Sequence, residues 1–198
     1  VRLHSHAAAV HSSMSFAFNL FLPFRAAPKQ LSHWASGLLG TQTVVDRVTF
    51  EWVPPGGVLG ELQGDRPLGD EPATSIDVVL WGRTPEQTVA VLIEVKLTER
   101  GFTLCGGRPS RGNRRRDVCD SAELFFADPT ACYLRRPVRA RRDRRYWSIL
   151  ASAHGSVREA FPGLRSDGPC PFAGDLQQPL RQFALARGLE QAGVVEQA

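Results

Sequence analysis

Two apolar runs joined by a turn dominate the middle of the chain and constrain its fold more than any other feature. Ile76–Trp81 and Val89–Val95 are rich in Val, Ile and Leu, and Gly82-Arg83-Thr84-Pro85-Glu86-Gln87 between them is a turn-forming segment. The pattern predicts a β-hairpin with both strands well buried. Three charged residues interrupt it: Asp77 near the start of the first strand, and Glu94 and Lys96 at the end of the second.

Strand periodicity gives that placement a meaning. Side chains alternate faces, so Glu94 and Lys96 project on one side and Val95 on the other. If the strands pair, Asp77 reaches the same end of the sheet as Glu94. Two neighbouring carboxylates disfavour each other's ionisation unless a cation lies between them. Mg²⁺ suits such a place, because it takes oxygen ligands and only one or two protein carboxylates, plus waters. The Val95 carbonyl is a further candidate oxygen ligand, and Lys96 stands where it can orient a metal-bound water or offset charge on a phosphate.

The basic residues single out Lys96. The chain has 22 Arg but only two Lys, Lys29 and Lys96. A composition that favours Arg almost everywhere keeps a compact, adjustable amine at this position, and the two cations are not interchangeable. Glu94 and Lys96 also follow an apolar run, which points to a partly buried site whose charges need partners.

Asp77 followed by Glu94-Val95-Lys96 resembles the PD-(D/E)XK nuclease superfamily, the restriction-endonuclease-like fold, with Ile76-Asp77 standing for the P-D element. A Glu and a Lys two residues apart also occur on solvated sheet edges as a surface ion pair, so the tripeptide alone is a weak pattern. Further segments widen the likeness to a group of bacterial restriction endonucleases: Thr74-Ser75-Ile76-Asp77, the run Glu94–Glu99, Cys105, Cys170-Pro171-Phe172, and Gln178 with Arg181. The resemblance implies an α/β (α+β) fold, with a central mixed β-sheet flanked by helices. It implies cleavage of DNA phosphodiesters with Mg²⁺ (or Mn²⁺), with Asp77, Glu94 and Lys96 catalytic and Asp77 and Glu94 holding the metal. In many members a Gln or Arg of a later helix approaches the site, here Gln178 and Arg181, although helix-surface residues fit those positions equally well. A helix before the sheet often adds an acid, but neither N-terminal helix expected here contains Asp or Glu. DNA is the expected partner, and a homodimer is left open.

Size is consistent with one domain over residues 1–198, carrying a cysteine-containing, Arg-rich region at 100–175. Net charge is modest at +4 with a sequence pI near 9.2, but its distribution is uneven. Arg135, Arg136, Arg139, Arg141, Arg142, Arg144 and Arg145 crowd one segment, and Arg114-Arg115-Arg116 form a second cluster. Such density suits phosphate contacts and the steering of a polyanion, and equally a solvated surface. The hairpin motif tips the balance to DNA.

Cys105, Cys119, Cys132 and Cys170 all follow the motif, and no two form a C-x-x-C pair. Each stands in or beside a loop, where core cysteines are uncommon. Two readings stay open: separate free thiols, or a shared structural Zn²⁺ or iron–sulfur cluster. His4, His6, His11 and His33 have no spacing that suggests a ligand set.

In order, the pattern predicts helices over 4–22 and 28–39, the second opened by Pro28 and closed by Gly40. A strand follows over 44–53, with Val45, Arg47, Thr49 and Glu51 on one face. Residues 54–74 read as a long loop, and Glu51 or Glu61 as a further metal ligand or, more plainly, a solvated carboxylate. A Gly/Arg-rich loop over 100–118, helices over 121–126, 142–153 and 176–191, and a short strand over 131–134 complete the expectation. No segment has the length and apolarity of a membrane span, and no clear signal peptide is present, so a cytoplasmic location is expected. Two rivals to the endonuclease reading are a non-catalytic nucleic-acid-binding module and a repair or recombination exonuclease on the same core.

Overall fold

The structure is a computed structural model that describes residues 12–54, 57–63, 66–67, 73–97, 101–135 and 143–198. It is a mixed α and β chain, as expected, and divides into two compact units. The first comprises Val1–Val53, Ser75–Arg100 and Leu189–Ala198; the second comprises Pro54–Thr74 and Gly101–Gly188.

The first unit is built on an antiparallel sheet with strand order β1-β4-β5, where β1 is Val44–Trp52, β4 is Ile76–Arg83 and β5 is Thr88–Ile93. The expected hairpin is β4–β5, closed by a turn in which the Thr84 N–H bonds the Gln87 carbonyl. The described strands of this sheet are all antiparallel, and outside them an isolated parallel bridge joins Val89 and Gln197. There the Ala90 N–H donates to the Gln197 carbonyl and the Gln197 N–H to the Thr88 carbonyl.

Two helices cover one face. Helix α1 (Ser13–Phe21) is capped by the Ser12 hydroxyl, which accepts from the Ser15 N–H, and runs into a 3₁₀ turn containing Pro23. The part of the predicted helix before residue 12 lies outside the described residues. Helix α2 (Pro28–Leu39) has the predicted bounds: proline fits its first turn, and Gly40 ends it in the left-handed region at φ 67°. Ser32 and Ser36 accept from the Val45 and Thr43 N–H groups, tying α2 to the start of β1. Ala17, Phe21, Leu31 and Ala35 pack on Val45, Val48, Phe50, Val78, Leu80 and Val95.

Simple alternation along the first strand expected Val45 beside Arg47, Thr49 and Glu51. A bulge between Val45 and Arg47 shifts the phase, so Val45 joins Val48 and Phe50 in the core. Gly82 pairs with Val45 at this bulge, and a Cβ on Gly82 would overlap the Val44 carbonyl. The backbones approach too closely there for any side chain.

The second unit contains the two-residue ladder β2 (Leu62–Gln63) and β3 (Arg66–Pro67) within the segment expected to be loop. Its helices are α3 (Arg116–Asp120), α4 (Ala122–Ala127), α5 (Tyr146–His154), α6 (Val157–Ala160) and α7 (Gln177–Gln191), whose final residues from Leu189 belong to the first unit. Residues 131–134 are not the predicted strand. Pro129–Ala131 and Tyr133–Arg135 are 3₁₀ turns, the first closed by Asp128, whose carboxylate accepts from the Thr130 N–H. Local side-chain bonding by Asp128 and the fixed φ of Pro129 override a weak strand signal. The core is aromatic: Phe125 meets Trp147 and Phe172 edge-on, and Phe161 meets Phe172 and Phe183 likewise.

Candidate active site

Sheet register builds the site in the first unit. Phe50 pairs with Val78 and Trp52 with Ile76, which puts Glu51 across from Asp77. Val78 pairs with Ile93, which puts Glu94, one residue past β5, across from Asp77 on the other side. Phe50, Val78 and Val95 point into the core under the helices. Alternation therefore turns Glu51, Asp77, Glu94 and Lys96 to the opposite face.

Hydrogen bonds hold the group. The Asp77 carboxylate accepts from the Val95 N–H at 2.7 Å, continuing the β4–β5 contact by one side chain after the ladder ends. Lys96 Nζ donates to Glu94 Oε1 at 2.6 Å. The Glu94 side chain is only 9% exposed and that of Lys96 26%, so this ion pair is no loose surface contact. The sequence expectation that Asp77, Glu94 and Lys96 meet at one end of the hairpin agrees with this geometry.

Glu51 adds a third carboxylate. Its ionisation is pushed up from the ordinary value by partial burial first, then by the negative charges of Asp77 and Glu94. It is also the one described non-glycine residue with positive φ, at 45°. Such a conformation costs on the order of 1–3 kcal/mol and persists only where surrounding structure enforces it. The register could have been read from the two strand patterns; the backbone twist could not.

Glu61, the other candidate, has a structural task in the second unit. Its buried carboxylate accepts from the Thr74 N–H at 2.7 Å, the Thr74 hydroxyl at 3.0 Å and the Tyr146 hydroxyl. Those donors occupy both oxygens, and burial drives the Tyr146 phenol well above its ordinary range.

The donor set around Asp77 fits a hard divalent cation: carboxylate oxygens outnumber the single ammonium, and partial burial makes the excess negative charge costly. Among the described residues, no three His, Cys, Asp or Glu side chains are already gathered to hold an ion. Lys96 and the Val95 N–H each engage a carboxylate oxygen here. One or two carboxylates with waters suffice for Mg²⁺.

The remaining candidates lie in the second unit. Arg136, Arg139, Arg141 and Arg142 fall outside the described residues. Arg135 pairs with Asp143 at 2.6 Å, the Arg144 N–H donates to the Arg135 carbonyl, and Arg145 precedes α5 with its N–H on the Leu59 carbonyl. In the other cluster, Arg115 is held by Asp117. Gln178 and Arg181 are on α7; Gln178 Oε1 accepts from the Thr103 N–H, and Arg181 Nε is buried without a hydrogen-bond partner. Cys105, Cys119, Cys132 and Cys170 are free thiols in this unit. No helix among the described residues is long and apolar enough to cross a membrane.

A family model described as Restriction Endonuclease associating with ARP matches residues 1–187. No curated protein and no solved structure matches the chain.

Proposed function

Because the chain belongs to the family Restriction Endonuclease associating with ARP, we propose that it is a metal-dependent endonuclease of the PD-(D/E)XK type that hydrolyses DNA phosphodiester bonds. The observation that carries the proposal is the placement of Asp77, Glu94 and Lys96, with Glu51 beside them, on the sheet face opposite the apolar core. Charged residues gathered against a packed sheet are costly to fold and are kept where they act.

Asp77 and Glu94 would hold Mg²⁺ or Mn²⁺, and Glu51 stands close enough to share the charge. An ion held there would lower the pKa of a bound water and polarise the scissile phosphate. Lys96 leaves Glu94 to orient the attacking water and to offset negative charge building on phosphorus. The Val95 N–H bond holds the Asp77 carboxylate at the end of the hairpin. Arginines of the 135–145 segment grip the DNA backbone, which positions the duplex without reading its sequence.

The direct Lys96–Glu94 ion pair favours a second reading, a DNA-binding module in which these residues only hold the hairpin. Cleavage of supercoiled plasmid with Mg²⁺ or Mn²⁺, wild type beside Lys96→Ala, separates the two. Metal-dependent nicking lost in the variant supports the nuclease. No cleavage by either protein, with DNA retained equally by wild type, Asp77→Ala and Lys96→Ala, supports the binding module. Activity on linear but not circular DNA would assign an exonuclease instead.

A further inference from the structure

The proposed reaction uses none of the four cysteines, yet the second unit draws them together from four separate segments. Cys105, Cys119 and Cys170 are buried and Cys132 is half-buried. The Cys170 N–H donates to the Cys119 carbonyl at 3.1 Å. Asn113 Nδ2 donates both to the Gly107 carbonyl at 3.0 Å and to Cys119 Sγ at 3.4 Å. Gly107 in turn is pressed between two neighbours: a Cβ there would stand 3.1 Å from the Leu134 side chain and 3.4 Å from Cys105 Sγ. The Cys105 loop thus lies on the turn that follows Cys132. Every pair of the four thiols is close enough for a charge on one to disfavour a charge on the other.

Two of the cysteines stand in the same local structure. Cys132 has φ −58° and ψ 129°, and Cys170 has φ −51° and ψ 124°. A 3₁₀ turn follows each, Tyr133–Arg135 and Pro171–Ala173. In both, the third N–H after the cysteine returns to the cysteine carbonyl, Arg135 to Cys132 at 3.0 Å and Ala173 to Cys170 at 2.9 Å. In both, the second N–H, that of Leu134 or Phe172, bonds the sulfur itself. With Asn113 on Cys119, three of the four sulfurs accept an N–H donor. Donors aimed at sulfur favour thiolate over thiol, which is the form a metal requires.

We propose that Cys105, Cys119, Cys132 and Cys170 form a tetrathiolate site for one structural Zn²⁺. Binding releases four thiol protons to solvent and forms four Zn–S bonds, the closed tetrahedral set typical of structural zinc. Four sulfurs exclude Mg²⁺ and Ca²⁺, which take oxygen ligands. The described side chains are not already gathered around a point, so the sulfurs turn about their Cα–Cβ bonds to close on the ion. The paired turns and the Asn113–Gly107 bond stay in place. The site would pin the Gly101–Arg135 stretch, which has only two short helices and two 3₁₀ turns, to the turn after Cys170.

The test uses full-length protein without a histidine tag, purified without chelator. Elemental analysis should find about one zinc per chain, freed by a mercurial thiol reagent and not by mild EDTA. Replacement by Co²⁺ should give the visible bands of a tetrahedral tetrathiolate. Cys132→Ser/Cys170→Ser should lose the zinc, whereas Lys96→Ala should keep it, so failure here is distinct from failure of the nuclease reading. The wild-type stoichiometry does not depend on any variant folding. Iron with acid-labile sulfide would overturn zinc as the metal. Metal-free protein with four thiols titrating on unfolding, or with two disulfides, would overturn the shared site.

Discussion

The Asp77 carboxylate accepts the Val95 N–H at 2.7 Å, so a side chain on β4 continues the pairing that β5 itself stops making after Ile93. Asp77 therefore has two separable tasks, one structural and one chemical. Asp77→Asn keeps an oxygen for the Val95 N–H but loses the charge. We expect its melting temperature to stay within a degree or two of wild type, while metal-dependent cleavage falls by at least about 10²-fold. Asp77→Ala orphans a part-buried N–H and should also lose about 1–3 kcal/mol, seen as a lower midpoint in urea. Equal destabilisation by both variants would show that the carboxylate charge, not the hydrogen bond, holds this end of the hairpin.

Lys96 tests whether the cation is chemical or merely a counter-ion. Lys96→Arg keeps a positive charge beside Glu94, so the ion pair and the stability should survive. A planar guanidinium cannot stand in for a compact amine next to an attacking water. Cleavage should drop on the order of 10²–10³-fold, as for loss of other transition-state donors. An arginine variant that cleaves like wild type would leave Lys96 as a fold-holding partner of Glu94.

Gly82 faces a different constraint. Its pairing with Val45 beside the bulge leaves no room for a Cβ against the Val44 carbonyl. Because the obstacle is backbone and cannot rotate away, Gly82→Ala should cost about 1–3 kcal/mol. Denaturant unfolding followed by far-UV circular dichroism measures it directly.

Tyr146 is the structural counterpart in the second unit. Tyr146→Phe removes one of three donors to the buried Glu61 carboxylate, and should lower stability by about 1–3 kcal/mol. Plasmid cleavage at a temperature where the variant is folded should be unchanged. A specific loss of cleavage there would move Glu61 from scaffold to site.

Much of this was legible in the residues, and the reasons differ by element. Helix α2 matched its predicted bounds because Pro28 and Gly40 carry strong local rules at each end. The hairpin was legible because its apolar runs and its Gly-Arg-Thr-Pro turn agree with each other, and the two-residue period then places Glu94 and Lys96 together. Only the start of β1 was not legible, since the extra residue between Val45 and Arg47 moves Val45 to the core face while Arg47, Thr49 and Glu51 keep the expected one. Residues 131–134 looked like a strand because Ala-Cys-Tyr-Leu is apolar, but the turn is set upstream by Asp128 and Pro129. The repeated turn after Cys132 and Cys170 was hidden for a related reason: two backbone conformations can match where the sequences Tyr-Leu-Arg and Pro-Phe-Ala do not.

Glu51 offers the sharpest division between folding and function. Burial, then Asp77 and Glu94, raise its ionisation above the ordinary value of 4.5. A carboxylate shifted upward in the folded state contributes stability when protonated. That contribution is present below the unfolded value and lost as pH rises through the folded one. In chelator, wild type should therefore lose stability across this window, and Glu51→Gln should not. The gap in melting temperature between them should open with pH and reach a few degrees at neutrality, with the variant the more stable. Added Mg²⁺ should then raise the midpoint of wild type more than that of Glu51→Gln, because the variant has lost one negative charge facing the ion. Glu51→Gly separates the backbone cost from the charge: φ of 45° is easy for glycine, so this variant should also be stable without metal and should also lose the Mg²⁺ response. If both variants are less stable than wild type in chelator at pH 7, the carboxylate is a partner that the fold needs rather than a charge held against the fold for an ion.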